Sequence, residues 1–261
     1  MKVTIFSTNQ TRHVYLVNLI SKIAEEVYYI KECNTVFPGK NKDFYNNSEI
    51  MQTYFSEVLK AEKKLFGELN FTEKNIRTLS LKWNDLNSIV FNQLKDAFNS
   101  DIYIVFGSSY IRGWLVEKLI NNNAVNIHMG LSPYYRGSSC NFWALYDENY
   151  GHVGATVHYL NKGLDSGNML YHCVPKYTDG ESLFDYSMKA AKIVQESLFY
   201  KIKDNELFKL KSVKQNKDFE IRYTKNLDFT DKVAKEFLNR KKKIYDKEIV
   251  YPELLNPYFG D

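Results

Sequence analysis

Apolar positions change rhythm repeatedly along this chain, and each rhythm predicts an element. Val3-Thr4-Ile5-Phe6 is a short β-rich run that ends in a polar turn, Ser7 to Thr11; a helical pattern covers Val14 to Ala24, and Val27 to Ile30 reads as a strand again. Strand, helix, strand in that order predicts parallel pairing through a crossover. A long amphipathic helix is expected over Glu49 to Phe66, with Ile50, Tyr54, Leu59 and Leu65 among its apolar positions. Ile76 to Leu79 reads as a strand and Leu86 to Phe98 as a helix. Ile102 to Phe106 is an unbroken apolar run of the kind that parallel sheets bury on both faces. A helix over Ile111 to Asn121 and a strand over Val125 to His128 follow. Val153 to Leu160 and Asn168 to Val174 read as two strands joined by the turn Asn161 to Gly167, before a long helix from Ser182 to Lys203. The pattern predicts an α/β fold: an open, mostly parallel twisted sheet flanked by helices.

The character changes after residue 205. Residues 206–261 are richer in Lys, Asp and Asn, with short β-like pieces and one basic helix expected over Thr230 to Lys243. The expected organisation is therefore a main domain over residues 1–205 and a small C-terminal α+β appendage over 206–261, serving acceptor binding or dimerisation.

Composition narrows the class. Apolar residues at 44% and charged ones at 25% are ordinary for a folded globular protein of 261 residues. The 35 basic and 31 acidic residues leave a net charge of +4, too balanced for a nucleic-acid footprint, so no nucleic-acid partner is expected. The dense run Arg240 to Lys243 reads as a solvated helix face. Cys33, Cys140 and Cys173 fit neither a disulfide framework nor a zinc cluster, and no histidine has ligand spacing with a second donor, so no metal is expected. No apolar stretch approaches the ~18 residues needed to span a membrane, and Met1-Lys2 leads directly into a strand. A cytoplasmic location without membrane contact is expected.

The stretch from Ala124 to Met169 carries the chemistry. Asn126-Ile127-His128 places an amide and an imidazole two residues apart, on one face at the end of a strand. The loop Met129-Gly130-Leu131-Ser132-Pro133-Tyr134-Tyr135-Arg136-Gly137 follows, then Gly154-Ala155-Thr156-Val157-His158, then Gly163-Leu164-Asp165-Ser166-Gly167. In open α/β sheets, ligands bind beyond the carboxyl ends of strands, where Ser7–Thr11, Gly107–Tyr110 and Asn126–Ser132 fall. An amide donor, an imidazole and a carboxylate gathered there suit acyl transfer to an amine.

Asn-x-His, a Leu-x-Pro-x-Tyr-Arg-Gly loop, Gly-x-Thr-x-His and Leu-Asp-x-Gly, in that order, resemble the catalytic domain of the formyltransferases that use 10-formyltetrahydrofolate. The similarity covers about residues 75 to 200 well and the rest loosely. It implies a Rossmann-like formyltransferase fold with Asn126, His128 and Asp165 as the catalytic group. It also implies folate against Phe106, Gly107, Ser108, Ser109, Tyr110 and Ile111 and against the turn residues Asn161, Gly163 and Leu164. Gly130, Ser132, Tyr135 and Arg136 are expected on the acceptor side. The chain departs from many relatives in reading His128-Met129-Gly130-Leu131-Ser132-Pro133 where they have His-x-Ser-Leu-Leu-Pro.

Among the family's acceptors, tRNA enzymes carry a further domain for which there is no room after Tyr200, and the purine enzyme is shorter. Length, the extension and segments such as Asp218 to Thr224 resemble the sugar N-formyltransferases. They imply a nucleotide-linked amino sugar as acceptor, a product destined for surface glycans such as lipopolysaccharide, and a homodimer. Formylation of another amine (an aminoacyl group or small metabolite) and a non-catalytic folate-binding module are the rival readings. A nucleotide-cofactor oxidoreductase is disfavoured, because Ser7-Thr8-Asn9-Gln10-Thr11 lacks the glycine fingerprint for a pyrophosphate.

Overall fold

Alternating side chains explain why both faces of the central sheet are covered. In the computed structural model, which describes residues 1–41, 43, 45–240, 245, 247 and 249–260, Val3, Ile5, Val27, Tyr29, Ile102 and Ile104 point to one face. There they pack with Leu16, Val17, Ile20, Ile193, Val194 and Leu198. Their neighbours Phe6, Tyr28, Ile30, Tyr103 and Val105 point to the other face, against Leu86, Leu94, Leu115 and Leu119. A strand buried on both sides must be apolar throughout, which is the run seen in the sequence.

The strands are β1 (Lys2–Thr8), β2 (Glu26–Cys33), β3 (Ile76–Lys82), β4 (Ile102–Phe106), β5 (Val125–His128), β6 (Tyr135–Gly137), β7 (Ala155–Tyr159), β8 (Met169–Pro175), β9 (Arg222–Thr224) and β10 (Tyr258–Gly260). The helices are α1 (Thr11–Ser21), α2 (Glu49–Phe66), α3 (Gly113–Asn121), α4 (Cys140–Tyr146), α5 (Leu183–Lys203) and α6 (Asp231–Leu238). The eight-stranded sheet runs β10-β8-β7-β5-β4-β1-β2-β3, and β6 pairs with β9 separately. Every pairing in the large sheet is parallel except those of β7 with β5 and β8. The expected mostly parallel sheet flanked by helices is therefore what forms. Strand order reverses at β1, which lies between β4 and β2, and this opens a crevice beyond the carboxyl ends of β1, β4 and β5.

Helix starts follow side-chain capping. Ser48 accepts from the Met51 amide, Ser182 from Asp185 and Thr230 from Val233. Ser139, which precedes α4, takes a left-handed φ of 56° and makes no capping bond. The helix expected over Leu86 to Phe98 breaks into three short 3-10 turns, with Ile89 and Val90 extended between the first two. Asn87 explains much of this: its side chain donates to the Tyr110 carbonyl and accepts from the Arg112 amide, bonds that compete with a helix. The same pairing holds Arg112 extended, so α3 starts at Gly113 rather than at Ile111.

The residues after 205 return to the main body. β10 extends the large sheet beside β8. Phe229 and Phe237 pack with Met51, Tyr54 and Phe142 in a shared core. Arg222 forks onto Asp147 at 2.8 and 2.6 Å and lies 4.7 Å over the Trp143 ring. α6 ends at Leu238, and residues 241–243 of the longer helix expected there lie outside those described. Arg240, itself exposed, lies 4.4 Å over the Tyr146 ring and donates to the Tyr146 carbonyl.

Candidate active site

The strand ends at the switch point wall a cleft of about 570 Å³, a size suited to small-molecule binding. β5 delivers Asn126 and His128 to its floor, and the β7–β8 turn brings Asp165 over them. His128 Nδ1 lies 3.4 Å from Asp165 Oδ2, and Asn126 Nδ2 lies 3.4 Å from Asp165 Oδ1. The three expected residues therefore share one cleft and stand within reach of one another.

Tautomers follow from the fixed partners. His128 Nε2 faces the Tyr135 carbonyl at 3.1 Å and must carry a proton to donate to it. Only the Nδ1 side then remains to engage Asp165 or a ligand. Burial penalises the charged imidazole, but the Asp165 carboxylate, with Cys140 adding, outweighs it and lifts His128 well above its ordinary value. Burial also works against the Asp165 anion, yet His128 holds its pKa below the usual carboxylate value. The resting pair is thus imidazolium and carboxylate. Both contacts to Asp165 are long, so its oxygens retain capacity for a further proton or hydrogen bond.

His158, which closes the Gly154–His158 motif, is part of the same group. Its Nδ1–H donates to the Tyr159 carbonyl at 2.8 Å, leaving Nε2 as the acceptor for Asn126 Nδ2 at 3.0 Å. Burial lowers the His158 pKa and keeps the ring neutral, although Asp165 pulls the other way. This acceptor orients the Asn126 amide with its NH₂ towards His158 and Asp165.

The expected folate-side residues, Phe106 to Ile111 with Asn161, Gly163 and Leu164, all line the cleft. Gly107 has φ +68°, and a Cβ there would stand 2.4 Å from the His13 ring. The Tyr110 hydroxyl donates to the Lys162 carbonyl and joins the two loops. Ser109 lines the wall, but its amide and hydroxyl both donate to the buried Glu32 carboxylate, at 2.6 and 2.8 Å.

The residues expected on the acceptor side stand apart from this lining. Gly130, Ser132, Tyr135 and Arg136 are not among the lining residues. Ser132 and Tyr135 are buried; Ser132 donates its amide to Thr156, and the Tyr135 hydroxyl bonds Asp147. A Cβ at Gly130 would meet Cys140 at 2.6 Å and His128 Nε2 at 2.8 Å, so this glycine packs under the histidine. Arg136 reaches the Leu164 carbonyl and Glu220. These residues brace the floor of the cleft because the loop folds back beneath β5.

Further lining comes from residues that periodicity does not single out: Gln10, Arg12, His13, Asn34, Thr35, Tyr45, Ser138 and Asn226. Arg12 pairs with buried Glu62 at 3.0 Å. The Ser7 hydroxyl donates to the Phe106 carbonyl at 2.6 Å and accepts from His13 Nδ1 at 2.8 Å. Burial, with Arg12 adding, holds His13 neutral, its pKa well below the ordinary value. The usable signal was positional for five of them: Gln10, Arg12 and His13 follow β1, and Asn34 and Thr35 follow β2, at strand ends near the switch point. Among the described residues, no group of three or more His, Cys, Asp or Glu side chains could hold a metal ion. No described helix is long and apolar enough to cross a membrane.

A doubly wound sheet with a polar trio at its switch point defines an α/β protein whose cleft is fitted for proton movement beside an amide donor. Residues 46–200 match the family model described as formyl transferase, and the chain belongs to that family. It is 31% identical over 106 residues to a methionyl-tRNA formyltransferase of Agathobacter rectalis, covering 39% of this chain and 34% of that relative. The chain spans between 28% and 52% of the curated methionyl-tRNA formyltransferases it matches. Among solved structures, it resembles a 4-N formyltransferase from Francisella tularensis, with a TM-score of 0.54, 19% identity and coverage of 100% and 92% of the two chains. It also resembles the formyltransferase PseJ from Anoxybacillus kamchatkensis, solved with UDP-4,6-dideoxy-4-formamido-L-AltNAc and tetrahydrofolate. That match has a TM-score of 0.50 and 15% identity, covering 96% of this chain and 98% of that one.

Proposed function

We propose that this protein transfers the formyl group of 10-formyltetrahydrofolate to the amine of a nucleotide-linked amino sugar. The observation that carries the reading is the meeting of Asn126, His128 and Asp165 in one cleft. The acceptor amine attacks the formyl carbon, and negative charge gathers on the former carbonyl oxygen. The Asn126 amide and the His128 Nδ1–H are the donors available to that oxygen; both contact Asp165 through long bonds that a ligand can replace. Asp165, held as a carboxylate by His128, takes the proton that the amine loses, directly or through a water; as the oxyanion collapses, the bond from the formyl carbon to N10 breaks and N10 takes up a proton, releasing tetrahydrofolate. Much of the acceleration comes from holding the two reactants in contact.

The folate is assigned to Phe106–Ile111 and the 161–165 turn, whose glycine at 107 allows close backbone approach. The amino-sugar acceptor is supported by the likeness to PseJ, solved with a formamido-sugar nucleotide and covered over almost its full length. Other lining residues support it too, since Gln10, Asn34, Thr35 and Ser138 offer neutral hydrogen-bonding groups suited to hydroxyls. An aminoacyl acceptor is the second reading, favoured by the identity to the Agathobacter rectalis enzyme.

The test is incubation with formyl-labelled 10-formyltetrahydrofolate and a panel of amino-sugar nucleotides, aminoacyl-tRNA and small amines. Label in a sugar nucleotide is expected. Label in aminoacyl-tRNA alone would replace the acceptor, and label in none of the panel would remove the activity.

A further inference from the structure

We propose that the C-terminal segment holds the Asp165 turn in register, with Gln215 as a positioning residue for that carboxylate. The turn between β7 and β8 is internally tied in its first half: Asn161 Oδ1 accepts from the Gly163 amide and from the Ser166 hydroxyl, both at 3.1 Å. Asp165 itself sits in the left-handed region at φ +46°. Its own carbonyl and that of Gly167 are met from outside the turn. Gln215 Nε2 donates to both, at 2.8 and 2.9 Å. Turning the amide over would set its oxygen against two carbonyl oxygens, so the orientation is unambiguous even though Gln215 Oε1 is buried without a partner.

The backbone delivers Gln215 to this place. Val213 and Met169 exchange amide–carbonyl bonds of 2.8 Å in both directions, which docks the segment beside the start of β8. A second strut reaches the turn one residue earlier. Arg136 donates to the Leu164 carbonyl at 3.1 Å while its other arm pairs with Glu220 at 2.7 Å, and its guanidinium lies 5.8 Å from the Tyr223 ring. The carbonyls of Leu164, Asp165 and Gly167 are thus all held by side chains belonging to the C-terminal segment or tied to it. Among the described residues, the Asp165 carboxylate meets His128 and Asn126 at 3.4 Å and His158 at 4.0 Å, all long contacts, so its place over His128 depends on its backbone. Displacement by an ångström is enough to weaken both the ion pair and any proton transfer.

The kinetic consequence rests on the proposed formyl transfer, whereas the effect on His128 does not. The experiment compares Gln215→Met, which keeps length and loses both donors, and Arg136→Met with the unaltered chain. Three readouts are taken: denaturant unfolding, the NMR titration of the His128 ring without ligands, and kcat and KM for formyl transfer across pH. In Gln215→Met the His128 midpoint is expected to fall by about one pH unit, kcat by about tenfold or more, and acceptor KM to change by less than about threefold. Arg136→Met should move the same readouts in the same direction, by less. A folded Gln215→Met protein whose His128 midpoint and kcat stay within about twofold of the original, in acid constant and in rate, would overturn the proposal. If Gln215→Met does not fold, an unchanged His128 titration in Arg136→Met overturns it equally. Should the unaltered chain formylate no amine, the proposed activity fails on its own, and the ligand-free titration still decides whether Gln215 positions Asp165.

Discussion

His128 owes its charge chiefly to one neighbour, Asp165. Asp165→Asn removes the carboxylate that lifts the imidazole and leaves the burial that lowers it. The His128 midpoint should therefore drop below the ordinary histidine value in that variant, as an NMR titration would record. Turnover should fall by about a hundredfold or more while the unfolding transition survives, the scale of a lost acid–base group. For the unaltered chain, a bell-shaped pH–rate profile is expected. Its acid limb lies below the usual carboxylate range as Asp165 takes a proton, and its alkaline limb lies above the usual histidine range as His128 loses one. His158→Phe removes the acceptor that orients the Asn126 amide, so kcat should decrease by about tenfold or more with little change in folate affinity. Steady-state kinetics with equilibrium folate binding would check this, and an unchanged kcat would leave His158 a purely structural role.

At the scale of elements, the β7–β8 turn is built around a glycine that cannot be replaced. A Cβ on Gly167 would stand 1.7 Å from the Tyr159 carbonyl oxygen and 2.9 Å from His158 Nδ1. Gly167→Ala should lower stability by about 2 kcal/mol or more, measured by urea unfolding, because the obstacle is backbone and cannot swing aside. A milder effect belongs to α5. Ser182→Ala removes its N-cap and should cost about 1 kcal/mol in the same assay, with activity unaltered. Long periodic elements were legible in the chain: α2 occupies the predicted interval, and α5 differs only because Ser182 is its cap. The region around Leu86 to Phe98 was not, since apolar spacing there resembles a helix while Asn87 bonds to a loop more than twenty positions away.

For the whole molecule, buried histidines set the response to acid. His172 donates from Nε2 to the Ser132 carbonyl at 2.9 Å and accepts at Nδ1 from the Leu255 amide at 2.9 Å, so both nitrogens are satisfied only in the neutral ring. Burial brings its pKa down to about 4. A group whose folded pKa lies below its unfolded one is penalised as the unfolded chain takes up the proton. Stability should therefore decline as pH falls from about 6.5 towards 4, by on the order of 3 kcal/mol from His172 alone. Neutral His13 and His158 act in the same direction. His128 acts in the opposite one: its raised value stabilises the fold below the unfolded pKa and is lost as pH rises through the folded one. Urea unfolding across pH, with His172→Gln for comparison, would measure the acid slope; the variant should lose part of it.

The linear chain by itself determined the α/β class, the order of the long strands and helices, and the Asn126, His128 and Asp165 signature. Each is written in short stretches, as a period of apolar residues or as a motif of a few positions, even though Asp165 lies 39 positions beyond Asn126. Only the tertiary structure decided that Tyr135 and Ser132 brace the cleft floor rather than line it, that His158 orients Asn126, and that Gln215 reaches the Asp165 turn. Those outcomes depend on which strand ends become neighbours and which way a loop folds back. They are set by the burial of residues far apart in the chain, a contest that no single segment contains.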